Sequence, residues 1–347
     1  GENHPEERIS RVTTASVPKR RFGVKRWIVL ACIILGAYLQ FGPLPTIAPN
    51  VFLPGEKIGH PPVNIPIINQ PLTNTLVATL LTDIVVLSLG FFVWRKVRSG
   101  DMVPRGFYNA VEALFEFLWN TAVTTAGRKN ARKFIPYMAT IFFMVLVANW
   151  MELIPGVDSV GVLEPAHGKF TGYEAHSIGS AYWLDGRYEL PHDEGDHGHE
   201  LCHSCTITPY VRAAATDLNF TLALALISVF MTQVFGIASQ KMGHITKFLN
   251  FRALVTKPVW GAMDFAVGLL EMISEFAKIL SFTFRLFGNI FAGQLLLFIL
   301  GSLVSFIIPT GLYLFEIFVG LIQAYVFAML TLVFMSQATQ AHGAEAH

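Results

Sequence analysis

The chain has 347 residues, of which 53% are hydrophobic and only 14% are charged, and its formal net charge at pH 7 is +1. Soluble domains carry about 25% charged residues, so this composition excludes an ordinary soluble enzyme and favours a membrane protein. No basic block interleaved with aromatic residues occurs, which argues against a nucleic-acid partner. Three cysteines are too few for a disulfide framework.

The first 71 residues, 1–71, form a predicted N-terminal region that contains an extra membrane anchor. Residues 1–26 are polar and end in a basic stretch, and the uncharged segment 27–42 follows them. This pattern fits either a retained anchor helix or a signal peptide. We favour the retained helix because no clear small-x-small cleavage site follows. The link that continues to residue 71 is rich in proline and cannot be helical throughout.

Residues 72–156 predict two membrane spans with an interfacial helix between them. The first span covers residues 72–94, and the second covers 134–153 and stops at a proline–glycine pair. Between them, six apolar side chains share one helical face, which is typical of a helix lying at the membrane interface. These side chains are Phe107, Val111, Leu114, Phe115, Leu118 and Trp119.

A polar insert, residues 157–210, separates these spans from the predicted core, residues 211–347. The core begins with a span at 217–238, continues into the long apolar stretch 258–303 and returns across the membrane at 310–338. A helix of about 45 residues is roughly 65 Å long, about twice the hydrocarbon core, so it must tilt, break or leave the membrane. The predicted fold class is an all-α polytopic membrane protein with about five to six membrane helices, the last two long and tilted.

Lysine and arginine cluster on one side of this topology. Seven lie in residues 1–26, eight in 95–133 and four in 239–257. The positive-inside rule therefore places these segments in the cytoplasm, matrix or stroma, and the insert on the opposite side, called the outer side below. The outer segments hold only Lys57, Lys169, Arg187 and Arg212.

The stretch 258–303 carries ionisable residues inside an apolar run. At 100° per residue, six polar side chains fall within about 40° of the direction of Arg285. Glu275 lies about 80° away from this polar stripe. Ionisable groups at membrane depth are costly and by default mark an ion pathway. The polar stripe consists of Glu271, Ser274, Lys278, Ser281, Arg285 and Asn289.

Two motifs resemble subunit a of rotary F-type ATP synthases: 284-FRLFGNIFAGQL-295 and 315-FEIFVGLIQAYVFAMLTLVF-334. The resemblance implies a stator subunit that forms two half-channels at a ring of c subunits. Such a subunit translocates protons and couples their flow to rotation and ATP synthesis. Nucleotide chemistry then belongs to other subunits, in agreement with the absence of a GxxxxGK[ST] motif from the sequence.

The resemblance assigns the central role to Arg285, the essential fixed charge that faces the c-ring carboxylate. A guanidinium suits this role because it stays protonated in proteins. Glu316 and Gln323, two turns apart, are implied in the outer half-channel, and Asn289 and Gln294 fit the same water-lined route. Many members of the family carry Glu or His where this chain has Gln294. We therefore expect Gln294 to hold hydrogen bonds or water rather than relay protons.

The inner half-channel is implied at Glu271, about 21 Å from Arg285 along the helix axis. Lys278 is expected to pair with Glu271, Ser274 or Glu275. A single polar residue in a span can instead hydrogen-bond to a neighbouring helix, and that alternative stays open for the less central positions. The remaining candidates for the proton pathway are Glu275, Lys278 and Ser281 on the same helix, Asp217 and Asn219 at the outer mouth, and Glu152 near the end of the second span.

The insert contains the segment 192-HDEGDHGHELCHSC-205, which is rich in potential metal ligands. Imidazole and thiolate favour zinc or copper, although the spacing matches no strict finger pattern. An outer location equally favours a Cys202–Cys205 disulfide. A flexible solvated loop and a contact with a neighbouring subunit are the other interpretations, and no further cofactor is predicted. The candidate ligands are His197, His199, Cys202, His203 and Cys205.

The implied partners are the c-ring, the peripheral-stalk b subunits, other ATP synthase subunits and the lipid bilayer. A bacterial plasma membrane is the favoured location, with an organellar inner membrane as the alternative. Two rival functions are a stand-alone secondary transporter with an intramembrane Arg/Glu site and a membrane-anchored metal-binding protein. Transporters usually show internal repeats, and the sequence has no second RLFGN-like copy. The metal-binding interpretation leaves the polar stripe unexplained.

Overall fold

The computed structural model describes residues 27, 30, 31, 34, 55–58, 71–98, 106–154, 156–165, 172–179, 181–190, 204–240, 258–303 and 307–340. Five long helices lie within these ranges: α1 (Asn74–Arg98), α2 (Phe107–Glu152), α3 (Leu218–Gln240), α4 (Pro258–Leu303) and α5 (Ile307–Thr339). Four strands lie between α2 and α3: β1 (Gly161–Pro165), β2 (Gly172–Ile178), β3 (Ala181–Leu190) and β4 (Cys205–Pro209).

All five helices contain a stretch long and apolar enough to cross a membrane. The predicted class, an all-α polytopic membrane protein, is thereby confirmed, and α4 begins and ends at the predicted residues. Helix α5 begins three residues before the prediction. The anchor predicted at 27–42 lies outside the described residues except for Trp27, Leu30, Ala31 and Ile34, which are helical and exposed.

Helix α2 joins two elements that the sequence predicted separately, the interfacial helix and the following span. It runs for 46 residues and bends at Gly127, where φ is 74° and ψ is 152°. A left-handed φ of this kind costs glycine little, so the bend falls at the residue best able to adopt it. On one side of the bend Leu118 is fully buried, and on the other side Phe134 is 1% exposed. Both halves therefore contribute to the same core.

The core lies between α2, α3, α4 and α5 and consists mainly of aliphatic side chains, with aromatic pairs joining the helices. Phe282 of α4 packs on Phe327 of α5 with ring centroids 4.8 Å apart. Phe134 of α2 packs edge-on against Phe235 of α3 at 5.0 Å. Aromatic pairs at these separations add to the stability gained from area burial. The four helices consequently form one packed unit, whereas most of the apolar surface of α1 is exposed.

Helices α2 and α5 approach each other closely at Gly320. A methyl group at Gly320 would lie 3.2 Å from Cβ of Asn149. Asn149 Nδ2 donates to the carbonyl oxygen of Gly320 at 3.3 Å, and Trp150 Nε1 donates to that of Ile317 at 3.1 Å. Small residues allow this close backbone approach between membrane helices. The contact fixes the outer end of α2 against the outer half of α5.

The insert folds around a four-stranded antiparallel sheet with strand order β1-β4-β2-β3. Its small core consists of Tyr173, Leu184 and Cys205, which are at most 5% exposed. The insert is therefore folded where these strands lie, whereas the interpretations given for residues 192–205 stay open because residues 192–203 lie outside the described residues. Short strands that bury few side chains leave a weak alternation in the sequence, which explains why they were missed.

Cys205 at the start of β4 is disulfide-bonded. Its predicted partner Cys202 lies outside the described residues, so the Cys202–Cys205 pairing stays a prediction. The predicted metal ligands His197, His199 and His203 also lie outside these residues. Among the residues that the structure describes, no group of three or more His, Cys, Asp or Glu side chains is placed to hold a metal ion.

Candidate functional site

The polar stripe of α4 lies on a face that the rest of the chain leaves uncovered. Arg285 is exposed, and its guanidinium forms no hydrogen bond or ion pair within the described residues. Leu280 and Phe284 beside it are 54% and 57% exposed. On the opposite face, Phe282 is 2% exposed and Leu286 is fully buried in the core. The packing of α4 therefore turns a fixed positive charge outward between apolar side chains.

Nearer the inner side, Glu275 and Lys278 form an ion pair. Lys278 Nζ lies 2.6 Å from Glu275 Oε1 and 4.7 Å from the ring centroid of Phe334 on α5. Of the three partners expected for Lys278, the structure thus shows Glu275, although this residue lies about 80° from the direction of Arg285 around the helix. The second carboxylate oxygen of Glu275 is buried without a hydrogen-bond partner in the described part of the chain. Glu271 is half-buried one turn earlier.

The two other polar members of the stripe near Arg285 are also on the uncovered face. Ser281 and Asn289 lie one turn before and one turn after Arg285, and both are exposed. Side chains at i and i+4 share a helix face, so these positions are adjacent to the guanidinium. The structure therefore brings Ser281, Arg285 and Asn289 together on one surface.

In the outer half of the molecule, Glu316 of α5 packs against Gly293 of α4. A methyl group at Gly293 would overlap the carboxylate and lie 2.7 Å from Cδ of Glu316. The neighbouring Gln294 is 5% exposed and hydrogen-bonds to the side chain of Asp158. The predicted pathway residue Gln294 thus contacts the loop that follows α2, next to the site where Glu316 packs on Gly293.

A buried arginine lies among carboxylates at this outer end. Arg212, between β4 and the 3-10 turn Ala214–Thr216, is 6% exposed. It interacts electrostatically with Glu152 and Asp158, and Glu152 interacts in turn with Glu316. Burial raises the pKa of the Asp158 carboxyl, while Arg212 and the hydrogen bond from Gln294 oppose that shift. These contacts connect Glu152 to Glu316 in one electrostatic cluster.

Sequence reasoning missed both Asp158 and Arg212. Asp158 lies in the 3-10 turn Val157–Ser159, just after the end of α2. An acidic residue in a loop after a helix is common, so nothing in the sequence singled it out. Arg212 was counted only as an outer-side cation. Neither residue belongs to a periodic pattern, so only the folded arrangement reveals them.

Asp217 makes two hydrogen bonds at the outer mouth, and both are structural. Thr75 Oγ1 donates to Asp217 Oδ2 at 2.7 Å, which joins α1 to the start of α3. The backbone N–H of Asn219 donates to Asp217 Oδ1 at 2.9 Å, which caps α3. The side chain of Asn219 is exposed. Thr75, an uncharged residue in the first turn of a span, was also missed.

Three buried amide groups lie between α2, α4 and α5. Asn149 Oδ1, Gln294 Oε1 and Gln323 Nε2 have no hydrogen-bond partner in the described ranges. Buried amides in this state are usually satisfied by water. The arrangement therefore favours a hydrated route that runs from the outer cluster past Gln323 toward the middle of the membrane.

Comparison with known proteins agrees with these features. The family model described as ATP synthase A chain matches residues 76–336. ATP synthase subunit a of Mycobacterium bovis is 28% identical over 272 residues, which cover 77% of this chain and 87% of that protein. The chloroplastic ATP synthase subunit a of Oedogonium cardiacum is 28% identical over 265 residues, covering 76% and 82%. Because the family model spans well over half of it, the chain belongs to the ATP synthase subunit a family and is a stator subunit in the membrane part of the F-type enzyme.

Proposed function

We propose that this chain forms the proton channel of its ATP synthase and presents Arg285 to the carboxylates of a rotating ring of c subunits. The observation that carries the proposal is the uncovered surface of α4, on which Arg285 is exposed together with the apolar Leu280 and Phe284. A guanidinium exposed to lipid at membrane depth is costly, so this face needs a partner. An apolar ring of helices that carries carboxylates fits both the charge and the apolar side chains.

Arg285 acts as a fixed charge rather than as a proton carrier, because its guanidinium keeps its protons. A c-ring carboxyl that approaches Arg285 loses its proton to one half-channel and passes the guanidinium as a carboxylate. It takes up a proton from the other half-channel after moving on. The same positive charge repels protons and prevents a direct leak between the half-channels. The free energy at stake is about 2.3 kcal/mol per proton for each 100 mV of membrane potential.

The outer half-channel runs through Glu316 and Gln323 on α5 and Gln294 on α4. The electrostatic connection from Glu316 to Glu152 supports an entrance at the end of α2. The buried amides of Gln294 and Gln323 support water along the route. Asn289, one turn after Arg285, would lie where this route reaches the c-ring. Asp217 and Asn219 hold the rim of the entrance, where Asp217 joins α1 to α3.

The inner half-channel runs along the inner part of the polar stripe, past Glu271, Glu275 and Lys278 to Ser281. The ion pair of Lys278 with Glu275 supports this assignment, because it keeps a charged pair at membrane depth beside the stripe. The second oxygen of Glu275 is buried without a described partner, and such an atom is usually satisfied by an internal water molecule. Protons leave the c-ring carboxyl on this side during ATP synthesis.

The partners of this subunit include the other ATP synthase subunits. Among these we propose direct contact with the c-ring and with the peripheral-stalk b subunits, and we assign the complex to a bacterial plasma membrane. The family assignment leaves the rival interpretations, a stand-alone transporter and a membrane-anchored metal-binding protein, without support.

The test is the substitution Arg285→Ala in the complete ATP synthase in inverted membrane vesicles. ATP-driven proton pumping should be lost while the soluble head still hydrolyses ATP. Arg285→Lys should not restore normal coupling, since lysine can lose its proton on burial and has a different donor geometry. Arg98→Ala is the matched control, because Arg98 packs on the ring of Trp94 at the inner end of α1, away from the polar stripe. Unchanged pumping by Arg285→Ala would overturn the proposal.

A further inference from the structure

A short segment of the proline-rich link folds back onto the outer end of α1. We call this segment, Gly55–Ile58, the strap. The backbone N–H of Ile58 donates to the carbonyl oxygen of Leu72 at 3.0 Å, and the N–H of Asn74 donates to that of Glu56 at 3.0 Å. These two bonds flank an antiparallel bridge between Lys57 and Thr73. Backbone hydrogen bonds therefore hold the strap against residues 72–74 in a sheet-like pairing.

The strap fixes the side chain of Glu56 as well as its backbone. Asn74 Nδ2 donates to Glu56 Oε2 at 3.2 Å, and the backbone N–H of Glu56 donates to Asn74 Oδ1 at 3.0 Å. Asn74 is fully buried in the first turn of α1. One buried amide thus binds both ends of Glu56, which gives the carboxylate a defined position.

That position lies at the rim of the outer half-channel. A methyl group at Gly55 would overlap Thr75 Oγ1 and lie 3.1 Å from Asp217 Oδ2. The strap consequently passes directly over the hydrogen bond between Thr75 and Asp217 that joins α1 to α3. Only glycine leaves room for this approach.

Glu56 shares a cation with the acids of the outer cluster. It interacts electrostatically with Arg212, which also interacts with Glu152 and Asp158. Burial raises the pKa of the Glu56 carboxyl, and Glu164 raises it further, while Arg212 and the hydrogen bond from Asn74 oppose the shift. The charged groups nearest to Glu56 and the strap are Lys57 on the strap itself, Arg212 before α3, Glu164 on β1 and Asp217 at the start of α3.

We propose that Glu56 is a proton-exchanging residue at the entrance of the outer half-channel and that the strap exists to position it. The proposal rests on the proton-channel function given above. A proton from outer water forms an O–H bond with the carboxylate. It then passes through water to the carboxylates grouped around Arg212, which leaves Glu56 ionised again. A cleft lined with negative charge concentrates cations and speeds their capture.

The experiment uses the complete ATP synthase in liposomes with its soluble head outside, so that the outer half-channel opens to the lumen. ATP synthesis is driven by a potassium diffusion potential at a series of lumenal pH values. Glu56→Gln keeps an oxygen that can accept from Asn74 but cannot exchange a proton. It should lower the rate about threefold at alkaline lumenal pH, where proton capture limits the rate, and leave it unchanged at acidic lumenal pH.

Two further variants separate proton exchange from a structural role. Glu56→Asp retains a carboxyl and should restore most of the alkaline rate. Lys57→Gln is the matched control on the same strap, because Lys57 is exposed, and its pH profile should follow the unmodified enzyme. The proposal is overturned if Glu56→Gln follows the unmodified profile. It is also overturned if the loss is the same at every pH or if Glu56→Asp fails to recover the rate.

The proposed function can fail separately from this inference. Arg285→Ala measures coupling at the rotor face, whereas Glu56→Gln measures proton supply with Arg285 intact. Loss of pumping in Arg285→Ala together with a normal pH profile in Glu56→Gln would remove the role of Glu56 alone.

Discussion

The carboxylate of Glu316 on α5 lies against the backbone of Gly293 on α4. The two residues come from different helices and meet in the outer half of the molecule, one residue away from the buried Gln294. A side chain at position 293 would occupy the space of the carboxylate. Gly293 thereby leaves the space that the Glu316 carboxylate occupies.

Gly293→Ala should displace the Glu316 carboxylate and reduce the rate of proton pumping by the complete enzyme about tenfold or more. The reason is that misplacing a reacting group by about 1 Å lowers a reaction rate by up to about 10²-fold. The measurement is ATP-driven acidification of inverted vesicles, normalised to the amount of assembled enzyme. Gly90→Ala is the control, because a methyl group at Gly90 on α1 meets no atom of the described residues within 4 Å. The double variant Gly293→Ala/Glu316→Asp should regain activity because the shorter acid leaves room for the methyl group. Normal pumping by Gly293→Ala would show that this contact is unimportant.

Thr75→Val should destabilise the outer junction of α1 and α3. The variant keeps the shape of the side chain but removes the donor to Asp217, which is 7% exposed. A buried acceptor left unpaired costs about 1–3 kcal/mol, so the Tm of the purified enzyme's membrane sector should fall by a few degrees. Thr79→Val serves as the comparison, because Thr79 Oγ1 bonds only the carbonyl oxygen of Thr75 within its own helix. Equal Tm values for the two variants would contradict the prediction.

Asp158→Asn should stabilise the protein at neutral pH. Because burial raises the pKa of Asp158 above its ordinary value of 3.8, the folded state binds more protons than the unfolded state between the two values. Stability contributed by this group therefore falls as pH rises through that window and stays lower above it. Asparagine removes the penalty, so the Tm should rise by a few degrees at neutral pH and approach that of the unmodified protein near pH 3.8. A gain that is independent of pH would reject the electrostatic cause.

Gly320→Val should separate α2 from α5. Even one added carbon would lie 3.2 Å from Cβ of Asn149 and 3.4 Å from Cδ1 of Trp150, and valine adds two more. Overpacking of this kind costs about 1–3 kcal/mol, in addition to weakening the two side-chain bonds to α5. Thermal unfolding of the assembled enzyme measures the effect. Gly311→Val on the same helix is the control, since a first carbon at position 311 has no neighbour within 4 Å in the described part of the chain. A similar Tm for both variants would show that the close approach contributes little.

Local physics made α4 and its polar stripe predictable. The length of an apolar run and a repeat of 100° per residue are properties of consecutive residues, so α4 has the predicted ends and Arg285 shares a surface with Ser281 and Asn289. The bend at Gly127 and the sheet of the insert were not foreseen, because a single glycine and short strands change the local pattern too little.

The sequence by itself determined the membrane class and the helices long and apolar enough to cross a bilayer, since both depend on nearby residues. The resemblance of its motifs led to the proposal that Arg285 carries the central charge. Only the tertiary structure decided that Glu56 and Arg212, more than 150 residues apart, interact electrostatically at the outer end of the molecule. Only the tertiary structure decided that Gly293 leaves room for the carboxylate of Glu316. Such contacts join segments that no local period relates, and they form because packing of four helices brings polar residues from separate loops to one end of the core.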